Sequence, residues 1–207
     1  NFRASYAQET GATVKGLLSA GYKPTDIAFF TQNDSYGDNG YEGAVTALER
    51  SGYKNALSLP HGRYERNTLN VEEGLSEILQ SKKDPKAIII VGAYGPVAQF
   101  IILAKQDYPN TKFINVSFVG STALTKALGS EGSNVVITQV VPHFLSSLKA
   151  VKEYRLALAL YGDASSPSFV SLEGYLSAKL FVKALKKAAA KNELTREGLI
   201  NAFESMT

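Results

Sequence analysis

Ala87-Ile88-Ile89-Ile90-Val91-Gly92-Ala93-Tyr94-Gly95-Pro96 decides the fold. Ala87 to Val91 is an unbroken apolar run rich in β-branched side chains, the composition of a strand covered on both faces, as in a parallel sheet. Gly92 to Gly95 turns the chain. Pro96 fits the first turn of a helix, where its missing N–H costs nothing. Val97, Phe100, Ile101 and Ala104 then recur at helical spacing. Strand, tight turn and helix form the unit of an open α/β sheet, and such sheets bind ligands in the crevice beyond the carboxyl ends of their strands. Tyr94 falls in that turn.

Toward the N-terminus the same alternation is expected. Asn1 to Ala4 reads as a short extended start. Tyr6 to Ala20 reads as a helix with Val14, Leu17 and Leu18 inward, and Gly21 closes it. Ile27 to Thr31 is a strand, Gln32 to Gly40 a polar turn, and Tyr41 to Ser51 a helix. Asn55 to Pro60 reads as a weaker strand, His61 to Arg66 as a polar loop and Leu69 to Ser81 as a helix. Toward the C-terminus, strands are expected at Lys112 to Val116 and Asn134 to Val141, with a helix at Thr122 to Leu128 between them. Each β-α-β step takes roughly 30 residues, the size of a right-handed crossover unit. The whole predicts a doubly wound parallel sheet with helices on both faces.

Beyond Pro142 the pattern is helical only: Leu145 to Tyr161, a loop at Gly162 to Pro167, Ser171 to Lys191 and Thr195 to Ser205. Helices alone need a partner surface for their apolar faces, so a boundary is expected here, with residues 1–141 forming one unit and 142–207 another. The chain begins at Asn1 and stops at Met206-Thr207 on a helical pattern. It reads as part of a longer protein.

With 207 residues, 44% of them apolar, the chain suits one large or two small globular domains. Its 22 basic and 19 acidic residues are interspersed, giving a formal charge of +3 and no polybasic patch. Neither nucleic acid nor a membrane surface is indicated as a partner. Lys82-Lys83 and Lys186-Lys187 read as solvated faces. The chain has no cysteine, which excludes disulfides, thiol catalysis and thiolate metal sites. His61 and His143 have no neighbour at metal-ligand spacing, so no metal is expected. Gly-x-Ser-x-Gly, Gly-x-Gly-x-x-Gly and the phosphate-loop lysine motif are all absent. No catalytic set and no cofactor are expected.

Three loops should meet at one sheet edge: Asp34 to Gly37, the turn at Tyr94, and Ser117-Phe118. They would bring Tyr36, Tyr94, Ser117 and Phe118 to one rim, a wall of apolar faces with hydroxyl tips that suits a small organic ligand. The same residues could instead merely cap the sheet. Arg63, Glu65 and Arg66 could orient a ligand or form ordinary surface.

Several stretches follow one another in a recognisable order: Phe2-Arg3, Asp34-Ser35-Tyr36-Gly37 with Gly40 and Gly43, and Gly52-Tyr53. Then come Gly92-Ala93-Tyr94, Thr138-Gln139-Val140-Val141-Pro142, and Glu173-Gly174-Tyr175 with Ala178. In these the chain resembles the periplasmic binding proteins of the type I fold, in particular the leucine/isoleucine/valine-binding group. The resemblance implies two lobes joined by crossing strands, with Arg3 and Pro142 beside the crossings and residues from about 4 to 140 forming the C-terminal lobe. The remainder would return as helices to an N-terminal lobe whose front is missing. It implies an extracytoplasmic component, periplasmic or extracellular and with or without a lipid anchor, that closes on a small molecule and is read by the membrane permease of an ABC transporter. A ligand-sensing receptor domain is the alternative role. Tyr36 and Tyr94 match aromatic residues of the family that line the cleft. The glutamate that pairs with a ligand ammonium in amino-acid binders would fall at or beside Phe118, where Ser117-Phe118-Val119 holds no carboxylate. That favours an aromatic or aliphatic acid over a standard amino acid, unless Asp34 replaces the missing charge.

Overall fold

The computed structural model describes residues 3–81, 83–162 and 166–206. The expected extended start at Asn1-Phe2, Lys82, and positions 163–165 of the expected loop lie outside the described residues. The chain divides into two compact units, Arg3–Val140 and Val141–Thr207.

The first unit holds five parallel strands in the order β2-β1-β3-β4-β5. They are β1 (Ile27–Gln32), β2 (His61–Tyr64), β3 (Ala87–Val91), β4 (Lys112–Asn115) and β5 (Val135–Ile137). β1 and β3 are buried throughout. Their side chains alternate between two cores. Ala28, Phe30, Ile88 and Ile90 face α3 (Glu72–Leu79), α4 (Tyr94–Asp107) and α5 (Ser121–Leu128). Ile27, Phe29, Ala87 and Ile89 face α1 (Tyr6–Ser19) and α2 (Ser35–Arg50). Phe30 stacks on Phe100 with ring centroids 3.7 Å apart and on Tyr64 at 5.4 Å.

The expected strand and loop at positions 55–66 are corrected. Residues 55–60 are not a strand: Ala56–Ser58 is a single 3-10 turn that buries Ala56 and exposes Leu57. The strand follows at His61–Tyr64, where a polar loop was expected, and pairs Phe29 with His61 through Gln32 with Tyr64. A sheet edge tolerates these polar residues. His61 stacks on Tyr41 at 3.9 Å and shares a 2.7 Å hydrogen bond with Thr31 Oγ1, while burial pushes its pKa down to about 4.

The expected turn at Gln32 to Gly40 is mostly helix, because α2 starts at Ser35. Its glycines read as breakers yet serve close packing. A Cβ on Gly37 would lie 1.9 Å from the Gln32 carbonyl oxygen, and one on Gly43 would lie 2.2 Å from Ala7 Cα. β5 is shorter than expected, since it matches only Phe113 to Asn115 of β4. α3 begins three residues later than expected.

The second unit is helical: α6 (Lys149–Tyr161), α7 (Phe169–Ala190) and α8 (Arg196–Glu204). α6 begins four residues later than expected, and α7 two residues earlier. Val151, Tyr154 and Leu172 form one small core, and Ala184, Ala188 and Ala202 another. Leu156, Leu160, Val170, Phe181 and Val182 are exposed. No helix among the described residues is long and apolar enough to cross a membrane.

Candidate functional site

The switch in strand order lies between β1 and β3, whose crossovers leave in opposite directions along the sheet. The loops after these two strands therefore flank a crevice. Asp34 caps α2: its Oδ1 accepts from the amides of Tyr36 at 3.0 Å and Gly37 at 3.3 Å. Its Oδ2 accepts from Gln32 Nε2 at 2.7 Å and lies 3.9 Å from the Arg66 guanidinium. Burial alone would raise the Asp34 pKa, but these hydrogen bonds and Arg66 outweigh it and hold the carboxyl below its ordinary range.

Gln32 continues the chain of bonds. Its Oε1 accepts from the Tyr64 hydroxyl at 2.8 Å, and the same hydroxyl accepts from the Ala93 amide at 2.9 Å. The Tyr36 hydroxyl donates to the Gly92 carbonyl at 3.4 Å. Burial raises the Tyr36 and Tyr64 pKa values, so both phenols stay neutral. The β3–α4 turn is thus tied to the start of α2 by two routes. Tyr94, the first residue of α4, is 52% exposed.

An aromatic cluster joins the loops after β1 and β4. Tyr36 meets Tyr6 edge-on at 4.7 Å and Phe118 at 5.7 Å, and Tyr6 meets Phe118 at 6.1 Å. The Arg3 guanidinium carbon lies 5.0 Å from the Tyr6 ring centre and 6.0 Å from that of Phe118. Arg3 Nη2 donates to Ser117 Oγ at 2.8 Å, and Ser117 Oγ donates to Glu9 Oε2 at 3.1 Å. Glu9, 6% exposed, also accepts from the Ser117 amide at 2.6 Å and from Thr138 Oγ1.

Of the expected residues, Tyr36, Ser117 and Phe118 come together with Arg3. Tyr94 stands apart from this ring cluster, and Asp34 works at the helix cap. Pro142 is exposed in the second unit. Arg63 belongs to β2 and pairs with Asp38 at 2.5 Å. Tyr6 and Glu9 belong to this cluster, and the sequence reading passed over them. A signal for Glu9 was present, because it falls on the inward stripe of α1 with Thr10, Val14 and Leu17. A carboxylate on such a stripe needs buried donors. A surface depression of about 730 Å³ lies between α1 and α2, where the small residues Gly11, Gly43 and Ala47 are part of its lining. Among the described residues no group of three or more metal-binding side chains occurs.

A family model described as periplasmic binding protein matches residues 1–207. The structure of a possible leucine/isoleucine/valine-binding protein from Rhodopirellula baltica SH 1 is similar at TM-score 0.92 and 48% identity, over 99% of this chain and 55% of that one. A substrate-binding periplasmic protein from Ralstonia solanacearum matches at TM-score 0.77 and 26% identity, over 97% and 55%. A branched chain amino acid ABC transporter protein from Thermus thermophilus with bound valine matches at TM-score 0.76 and 17% identity, over 99% and 53%, and so shows likeness of fold alone. The chain spans little more than half the length of these relatives. No match is found among curated proteins.

Proposed function

The chain belongs to the periplasmic binding protein family and has its type I fold, and from that premise we propose that it is part of the extracytoplasmic solute-binding component of an ABC transporter. The solute is a small amino acid or carboxylic acid held in a cleft between two lobes. Residues 1–141 supply the C-terminal lobe and 142–207 return to the other. One lobe binds first and closure about a hinge beside Arg3 and Pro142 completes the site, a shift between open and closed states rather than a reaction. A membrane permease reads the closed form. No part of this role needs an enzyme's acid, base and nucleophile.

The observation that carries the reading is the rim of Tyr36, Ser117, Phe118 and Arg3 beyond the strand ends, with Tyr94 across the crevice floor formed by the β3–α4 turn. The Rhodopirellula baltica relative, described as possibly binding leucine, isoleucine or valine, supports the solute class. A thermal-shift screen of the complete protein with amino acids and with aromatic and aliphatic acids tests it. At a hundredfold excess over the dissociation constant, a solute bound by the native state alone adds about 2.7 kcal/mol of stability. One class should therefore raise the melting temperature clearly, and a blank across every class would overturn the reading.

A further inference from the structure

Glu9 lies in the first turn of α1 and is 6% exposed, with its carboxylate given over to the protein. Two segments distant in sequence converge on it. The Ser117 amide donates to Oε1 at 2.6 Å, and the Ser117 hydroxyl to Oε2 at 3.1 Å. Thr138 Oγ1 donates to Oε1 as well. The other acceptor near that hydroxyl, the Asn115 carbonyl at 3.0 Å, already takes the Thr138 amide at 2.9 Å, which leaves the hydroxyl proton for Glu9. A carboxylate only accepts, so three donors can meet on it without conflict. Buried there, it depends on them.

The two segments have different places in the lobe. Ser117 precedes Phe118, whose ring is 65% exposed and meets Tyr36 and Tyr6 edge-on. Thr138 follows β5, and the first unit ends soon after it, at Val140. The sheet ladder joins Asn115 of β4 to this exit but stops short of Ser117. Building on the solute-binding reading, we propose that Glu9 is a positioning residue for the solute site. It ties the rim at Ser117 and Phe118 to the exit segment at Thr138, so that rim and exit move as one body when the protein closes. A group that meets a ligand keeps its geometry through the hydrogen bonds behind it. Hinge closure is absorbed by a few residues at the ends of elements, and a rim tied to such an end follows it. Glu9 thus sets solute affinity from behind the rim.

Fluorine NMR on the complete protein tests this with one label on the Phe118 ring and another on the Phe113 ring, which is buried in the sheet core. Glu9→Gln keeps the size of the side chain but turns an N–H toward at least one of the three donors. Thr138→Val keeps the shape, removes only the arm toward the exit and serves should the glutamine variant not fold. In both variants the Phe118 signal should shift or split while the Phe113 signal stays. A Phe118 signal unmoved in both overturns the inference, and so does a Phe113 signal that moves as far, because that reports a general loss of the fold. Calorimetry uses leucine, isocaproate and hydrocinnamate, one probe for each class in the thermal screen. The probe that the parent binds tightest should lose at least about tenfold in affinity in Glu9→Gln. Unchanged affinity removes the role of Glu9 and keeps the solute-binding reading, whereas a blank in the thermal screen removes both.

Discussion

Replacing Tyr64 with phenylalanine removes one oxygen and should loosen the turn that carries Tyr94. The ring is 2% exposed and stacks on Phe30, and phenylalanine keeps that packing. The lost hydroxyl joins Gln32 Oε1, at 2.8 Å, to the Ala93 amide, at 2.9 Å. Gln32 is buried, so its carbonyl oxygen is left without a donor at a cost of about 1–3 kcal/mol. Ala93 is exposed, and its amide can turn to water for much less. The sum is about 2 kcal/mol, roughly a thirtyfold change in the unfolding equilibrium. Native-state hydrogen exchange reads both parts: the β1 and β3 amides give the stability of this unit, and the Ala93 amide gives the local opening. Both should fall. A loss under about 0.5 kcal/mol, with Ala93 protected as before, would refute the role of the hydroxyl.

Asp26, 1% exposed, pairs with Lys83 and Lys86 at the opposite sheet edge. Burial raises its pKa, but the Lys83 hydrogen bond, the Lys23 amide and the two lysine charges outweigh it, and the net shift is downward. Its stabilisation is thus present above the ordinary value of about 3.9 and lost as pH falls through the folded value. Asp26→Asn should be less stable at neutral pH and lose less on acidification below about pH 4; parallel pH profiles would contradict this. Gly62→Ala should cost at least about 2 kcal/mol in denaturation, because its Cβ would lie 1.9 Å from the Gly74 carbonyl oxygen, and a variant as stable as the parent would mean that α3 does not pack so close. Tyr94→Ala in the complete protein should weaken solute binding at least about tenfold by calorimetry, and unchanged affinity removes Tyr94 from the site.

The sheet was legible where burial is two-sided. Ala87–Val91 and Ile27–Gln32 carry unbroken apolar runs because helices cover both of their faces. β2 was misplaced because its pairing is set by β1 rather than by its own side chains, and His61 and Arg63 find polar partners at the edge. The start of α2 was hidden because glycine has low helix propensity, while Gly37 and Gly43 are there to admit neighbouring backbone. The rim was legible only as loops sharing an edge. That Glu9 meets Ser117, 108 positions away, depends on how α1 lies on the sheet, and no local pattern reports such a contact.

The outermost strands of the sheet, β2 with four residues and β5 with three, leave little backbone unpaired along either border. A long flat border would be a template on which another molecule could add a strand. Here the invitation is brief on both sides, and on one it carries the charge of Arg63. A second copy that met either border would find few free backbone groups on which to extend the sheet.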